Sequence, residues 1–203
     1  AMHMISGDGT FSPDMDRWIA DLGSDGQGLF PIISIMGCQS SGKSTLLNAL
    51  FGTDFAVMEA DRGRTQTTLG VWLQRDVATN SRLLVMDLEG CDSKERGEDG
   101  ASFERQTALL ALALGQVLVI NMWCHDIGRY SAGNFELLKS VFQANLHLLQ
   151  TAAPEKKKRN VVLFCLRDFV PNTTPIEVLR EALFKDISKM WASIKKPAAV
   201  SDL

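Results

Sequence analysis

Eight consecutive residues, Gly37-Cys38-Gln39-Ser40-Ser41-Gly42-Lys43-Ser44, carry two glycines, a lysine and a hydroxyl at the spacing G-x-x-x-x-G-K-S. Glycine lets a backbone wrap closely around an anion, so that successive N–H groups converge on it. The ammonium that follows neutralises the outer oxygens of a polyphosphate, and the next hydroxyl suits Mg²⁺. Gly37, Gln39, Ser40, Ser41, Gly42, Lys43, Ser44 and Thr45 are therefore the expected phosphate-binding set, with Ser44 also a metal ligand.

A second group follows. The apolar run Leu83-Leu84-Val85-Met86 ends in Asp87-Leu88-Glu89-Gly90, which spells D-x-x-G. In this setting Asp87 is expected to hold the metal through water, and the Gly90 N–H to sense the terminal phosphate. Between the two groups lies Arg62-Gly63-Arg64-Thr65-Gln66-Thr67-Thr68, where a nucleotide-sensing loop belongs. Thr68 is expected to complete the metal shell. Either arginine serves as a finger for transition-state charge, a role worth about 10³ to 10⁵ in rate. Selecting a guanine requires a carboxylate at the end of a late strand. No Asn-Lys-x-Asp segment is present, and Arg167-Asp168 is the one well-placed candidate, although an exposed ion pair explains that dipeptide equally well.

Such groups must be positioned by a scaffold. Phe30 to Met36 reads as a buried strand that runs straight into the glycine loop. A helix then passes through Leu46, Leu47, Leu50 and Phe51 and stops at Gly52. Val71-Trp72-Leu73 and Arg82 to Asp87 form a hairpin around a turn at Ala78 to Ser81. Helix and strand then alternate. A helix around Phe103 to Leu114 precedes the buried strand Val117 to Asn121. Phe135, Leu138, Phe142, Leu146 and Leu149 recur at helical spacing before the buried strand Val161 to Leu166. Thr174, Pro175 and Glu177 spell a capped helix start, and Ser12-Pro13 caps a short early helix with Trp18, Ile19 and Leu22. This order predicts an α/β, three-layer P-loop domain with a mostly parallel sheet and one antiparallel strand.

The bulk properties agree with one domain. The chain has 203 residues, 45% of them apolar, and a net charge of -3, which gives no general attraction to nucleic acid or anionic lipid. The basic run Glu155 to Arg159 is expected to be a solvated turn. Cys38, Cys91, Cys124 and Cys165 are scattered, with no metal-site spacing, and suit reduced thiols of a cytosolic protein. The longest apolar stretch, Leu109 to Ile120, is too short for a bilayer span of about 20 residues. Ala1-Met2-His3-Met4 resembles the remnant of an expression tag, so residues 1–13 are expected to be a disordered start and residues 14–203 the GTPase domain.

Taken together, GCQSSGKSTLLNALF, GRTQTTLGVW, MDLEG followed by ERGED, VLVINMWCHDIGR, LLKSVFQANL and LRD ahead of TPIEVL resemble the root-hair-defective and atlastin-like branch of the dynamin-related GTPases, in particular the plant and fungal endoplasmic-reticulum fusion proteins. The likeness runs from about Pro31 to Pro197. It implies a Ras-like GTPase fold with Asp168 reading the base, Arg64 as the finger supplied within its own subunit, and Thr68 on Mg²⁺. It also implies GTP-driven homodimerisation of such domains from opposing membranes, on the cytosolic face of the endoplasmic reticulum, with the membrane reached through a stalk and hairpin beyond this chain.

Departures accompany the likeness. Cys91 and Leu69 stand where the family usually has Thr and Lys, and neither change removes a phosphate or metal ligand. No glutamine of the small-GTPase type follows Gly90 to orient water, so slow turnover of the monomer is expected. The last edge strand of the fold is expected to be missing. Three alternatives stay open: a soluble GTPase like the guanylate-binding proteins, which resemble one carrying arginine where this loop has Ser40; an ATP-using P-loop enzyme in which Arg167-Asp168 reads no base; and a pseudo-enzyme that binds nucleotide and only signals by it.

Overall fold

A computed structural model of the chain describes residues 1–23, 30–57, 67–79, 81–90, 100–128, 133–151 and 160–196, with the backbone alone at 101, 133–135, 149 and 151. The strands are β1 (Met2–Ile5), β2 (Ile32–Gly37), β3 (Val71–Arg75), β4 (Leu84–Leu88), β5 (Val117–Trp123) and β6 (Val161–Arg167). The helices are α1 (Met15–Leu22), α2 (Lys43–Phe51), α3 (Gly100–Leu114), α4 (Gly133–Thr151) and α5 (Ile176–Ser193). The six strands form one sheet in the order β1-β3-β4-β2-β5-β6. Pairings β2–β4, β2–β5 and β5–β6 are parallel, and β3–β4 and β1–β3 are antiparallel.

Side-chain alternation divides the core between the two faces of this sheet. On one face Ile35, Val85 and Val119 meet Leu47 of α2 and Phe55. On the other, Met36, Met86, Leu118 and Ile120 meet Ala108 and Leu112 of α3, Leu137 and Val141 of α4, and Met190 of α5. Each fully buried leucine or isoleucine contributes about 1.5–3 kcal/mol relative to exposure. The central strand β2 is therefore clamped from both sides, and the loop leaving its end has a fixed base. Helix α2 ends where Gly52, at φ 62, turns left-handed and donates to the Asn48 carbonyl.

The hairpin and its antiparallel pairing are as expected. Asp76 anchors its turn, accepting from the Thr79 N–H at 3.2 Å, the Ser81 hydroxyl at 2.6 Å and the Thr79 hydroxyl. Four expectations change. Helix α1 has Asp14 as its cap residue and no side-chain cap bond, so Ser12-Pro13 does not cap it. Met2–Ile5 is a strand of the sheet, so residues 1–13 are not a disordered start: Met4 and Ile5 are buried in the main core, and β1 pairs with β3. β6 is buried on one side only, with Val161 and Leu163 exposed while Val162 and Phe164 pack inward, because β6 is an edge of the sheet. Helix α5 starts at Ile176 with Pro175 as its cap residue and no side-chain cap bond, so the Thr174 capping box does not form.

Candidate functional site

The loop after β2 closes over the helix that follows. Gly42, at φ 76, and Ser40, at φ 58, adopt left-handed backbone that turns the chain into the first residue of α2. Lys43 is buried, with its ammonium donating to the carbonyls of Gly37 and Cys38 at 3.1 Å each. Gln39, Ser40, Gly42, Lys43, Ser44 and Thr45 line a cleft of about 150 Å³, faced by Thr67, Thr68 and Gly90. The helix N-terminus, the loop and one cation thus converge on a single opening, which is the arrangement that favours a polyanion. Ser41 lies behind the opening, its hydroxyl donating to the Cys38 carbonyl at 2.8 Å. Gly37 forms the end of β2, where an added Cβ would come within 2.2 Å of the Asn121 carbonyl oxygen.

Beside the cleft, three oxygens from three segments gather. The Ser44 hydroxyl donates to Asp87 Oδ2 at 2.6 Å and lies 3.1 Å from the Thr68 hydroxyl. Asp87 Oδ1 is buried without a partner. Burial pushes the Asp87 carboxyl above its ordinary range, against the Ser44 hydrogen bond, the Lys43 charge and the Thr68 hydrogen bond. Hydroxyls and a carboxylate are a hard, all-oxygen donor set, and the unpartnered oxygen faces the need a divalent cation meets. These residues fit Mg²⁺.

Gly90 lies directly under the loop, since an added Cβ would stand 2.6 Å from the Gln39 Cα. The carboxylate beside it, Glu89, braces the approach to Thr68: its Oε2 accepts from the Gly70 N–H at 2.7 Å, and its own N–H donates to the Gly70 carbonyl at 2.9 Å. Leu69 is held from the other side. His3 stacks on Trp72 with ring centroids 4.0 Å apart, and Trp72 Nε1 donates to the Leu69 carbonyl at 2.9 Å while His3 Nε2 lies 3.1 Å from it. Asn48 of α2 fixes the stretch leaving that helix through the Phe55 carbonyl and N–H, each at 2.9 Å.

At the other end of the loop, the Arg167 guanidinium donates to the carbonyls of Ser41 and Gly42 at 3.3 Å each. Arg167 therefore holds the phosphate loop. Asp168 is exposed at φ 57, with its carbonyl accepting from the Cys124 thiol at 3.1 Å. Arg62, Arg64 and Cys91 lie outside the described residues, as does the ERGED string. Sequence reasoning missed Glu89 and Asn121. Asn121 was signalled as the one polar residue inside the apolar run of β5, and its amide donates to the Ser41 carbonyl at 2.9 Å.

Strand, glycine loop and helix, with an acidic strand end and two hydroxyls beside them, define a P-loop nucleotide-binding domain. Residues 36–203 match the family described as Root hair defective 3 GTP-binding protein (RHD3) GTPase domain. The chain belongs to that family. It is 48% identical over 204 residues to Protein ROOT HAIR DEFECTIVE 3 homolog 1 of Oryza sativa subsp. japonica, matching 100% of this chain and 23% of that protein. It is 52% identical over 174 residues to the Protein SEY1 homolog of Dictyostelium discoideum, matching 83% of this chain and 19% of that one. The chain thus spans about a quarter or less of the relatives' length. Among solved structures, NFeoB from S. thermophilus bound to GDP.AlF4- and K+ overlaps 76% of this chain and 61% of its own, at 14% identity and a TM-score of 0.42.

Proposed function

We propose that this domain hydrolyses GTP in a Mg²⁺-dependent reaction, and that nucleotide-driven pairing of two such domains powers homotypic fusion of endoplasmic-reticulum membranes. The observation that carries the metal-dependent reading is the buried, unpartnered Oδ1 of Asp87 beside the Ser44 and Thr68 hydroxyls. Ser44, Thr68 and Asp87 hold the metal. Held by these residues, Mg²⁺ would supply positive charge to offset that of the phosphates. The loop amides from Gln39 to Ser44 and Thr45 cradle the phosphates, and Lys43 moves its ammonium from loop carbonyls to phosphate oxygens. Gly90 donates its N–H to the terminal phosphate. Asp168 accepts from the guanine edge, and Arg167 keeps the loop beside it in place.

Arg64 acts as the finger, from the segment ahead of Thr68. With no glutamine after Gly90, switch hydroxyls and backbone groups orient the attacking water, so the monomer turns over slowly. The pairing and the endoplasmic-reticulum setting rest on membership of the family. In this reading the membrane is reached through segments outside this chain. No helix among the described residues is long and apolar enough to cross a membrane.

Titration with labelled GTP and ATP, with and without Mg²⁺, tests the site. Preference for GTP that depends on Mg²⁺ and is lost in Lys43→Ala is expected, and preference for ATP would overturn the reading. Light scattering with GDP and metal fluoride against GDP alone tests the pairing. A monomer under both conditions would remove it.

A further inference from the structure

Asn121 stands in β5 among valines, leucine, isoleucine and methionine, with none of its surface exposed. Its Nδ2 donates to the Ser41 carbonyl at 2.9 Å and to the Ser41 hydroxyl at 3.0 Å, across 80 residues of sequence. A carbonyl only accepts, so the amide nitrogen must face it. The remaining atom, Oδ1, is buried without a partner. An aliphatic side chain of the same shape would suit this strand better, because a buried acceptor left unmet destabilises the fold. What the position requires is therefore the donor.

That donor acts on one peptide plane. In a trans peptide the carbonyl of one residue and the N–H of the next point in opposite directions. Turning the Ser41 carbonyl back toward β5 turns the Gly42 N–H forward into the cleft that Gly42, Lys43 and Ser44 line. Arg167 reaches the same carbonyl from β6 at 3.3 Å, and the Ser41 hydroxyl, itself held by Asn121, passes the constraint to the Cys38 carbonyl at 2.8 Å. The fit is close, since a Cβ at Gly37 would meet the Asn121 backbone oxygen at 2.2 Å.

We propose that Asn121 is a positioning residue for nucleotide: its buried amide sets the 41–42 peptide so that the Gly42 N–H faces phosphate. The proposal rests on the loop being the phosphate site described above. Both GDP and GTP present phosphates to this loop, so Asn121 supports both to the same degree and takes no part in choosing the base.

Two substitutions in the full chain test it, with affinity for labelled GDP and GTP measured from pH 8 to pH 5.5 and expressed relative to the unaltered protein at each pH. Asn121→Asp places a carboxylate against the Ser41 carbonyl at high pH, and on protonation offers an O–H donor of the same shape. The charged groups that reach the same stretch of loop are Lys43, on the carbonyl of Gly37, which pairs with Asn121, and Arg167, on the Ser41 carbonyl; Cys165 is the register partner of Asn121 on β6. The expected result is an affinity about 10- to 100-fold lower at pH 8 for both nucleotides, recovering as the pH falls. Asn121→Leu removes the donor together with the unmet acceptor. It is expected to lose affinity at every pH while unfolding at no lower temperature than the unaltered protein. Unchanged affinity in folded Asn121→Leu would overturn the proposal, as would a pH-independent loss in Asn121→Asp. If the unaltered chain bound no guanine nucleotide, the site reading itself would fall; normal binding by that chain with unaffected variants would remove only the role of Asn121.

Discussion

The Ser44 hydroxyl donates to Oδ2 of Asp87 at 2.6 Å, so the first turn of α2 and the end of β4 meet through one hydrogen bond. The bond joins the two halves of the proposed metal site before any ligand arrives. It also leaves the other carboxylate oxygen buried and unmet, and that imbalance gives the first prediction.

Burial raises the Asp87 carboxyl above the ordinary range, so the fold holds this proton more tightly than the unfolded chain does. Its contribution to stability is therefore full below the ordinary carboxylate range and is lost as pH rises through the raised value. In a chelating buffer, Asp87→Asn is expected to melt higher than the unaltered protein at pH 8, with the difference shrinking toward pH 5. The same variant should lose the Mg²⁺-dependent part of GTP binding. A lower melting temperature at pH 8 would contradict the burial argument.

Asp168→Asn keeps a side chain that tolerates φ 57 and exchanges a carboxylate for an amide. GTP affinity is expected to fall about 10- to 100-fold, as for loss of hydrogen bonds to a charged group. Affinity for xanthosine triphosphate should rise in return, because its base offers an acceptor where guanine offers a donor. Competition between the two nucleotides measures this, and an unchanged preference would remove Asp168 from base recognition.

Gly90→Ala puts a methyl group 2.6 Å from the Gln39 backbone, which obliges the phosphate loop to shift. A displacement on that scale costs on the order of 10²-fold in kcat/KM. Single-turnover GTP hydrolysis reads the effect directly; a rate within a factor of two or so of the unaltered protein would mean the loop does not depend on this contact.

In β1, Ile5→Ala removes a buried side chain from the main core. A loss of about 2–4 kcal/mol in denaturant unfolding is expected. A negligible change would restore residues 1–13 to a tail outside the fold.

Asp76→Ala strips the β3–β4 turn of the acceptor for Thr79 and Ser81, at a cost of about 1–3 kcal/mol. Burial acts to raise the Asp76 carboxyl, but the hydrogen bonds from Ser81 and Thr79 outweigh it and leave it lowered. Its contribution is present above the ordinary carboxylate range and lost as pH falls through the lowered value. Denaturation at pH 7 and in strong acid should therefore show the difference between variant and unaltered protein narrowing in acid.

Local chemistry made the centre of the molecule legible. The glycine loop, its flanking strand and helix, the hairpin and the D-x-x-G turn are each specified within a few residues, so spacing alone locates Lys43, Ser44, Asp87 and Gly90. Features set by distant contacts were hidden. The hold of Asn121 on Ser41 spans 80 residues and that of Arg167 spans 126, and no local pattern encodes either. Ala1-Met2-His3-Met4 reads as a tag because the four residues of β1 carry little signal without β3 beside them. β6 reads as uniformly apolar, yet Val161 and Leu163 face outward because composition does not tell an edge from a centre.

The placement of β1 has a consequence for how the molecule assembles. Its ladder in the sheet is with β3, so this strand, made well before its partner, has nothing to zip onto until the chain has been extended through Val71–Arg75. The β3–β4 hairpin closes over a short interval and can form early, whereas β1 must wait and then return across that interval. Seating of β1 is thus a late event, and with it comes the stacking of His3 on Trp72 that secures the carbonyl next to Thr68.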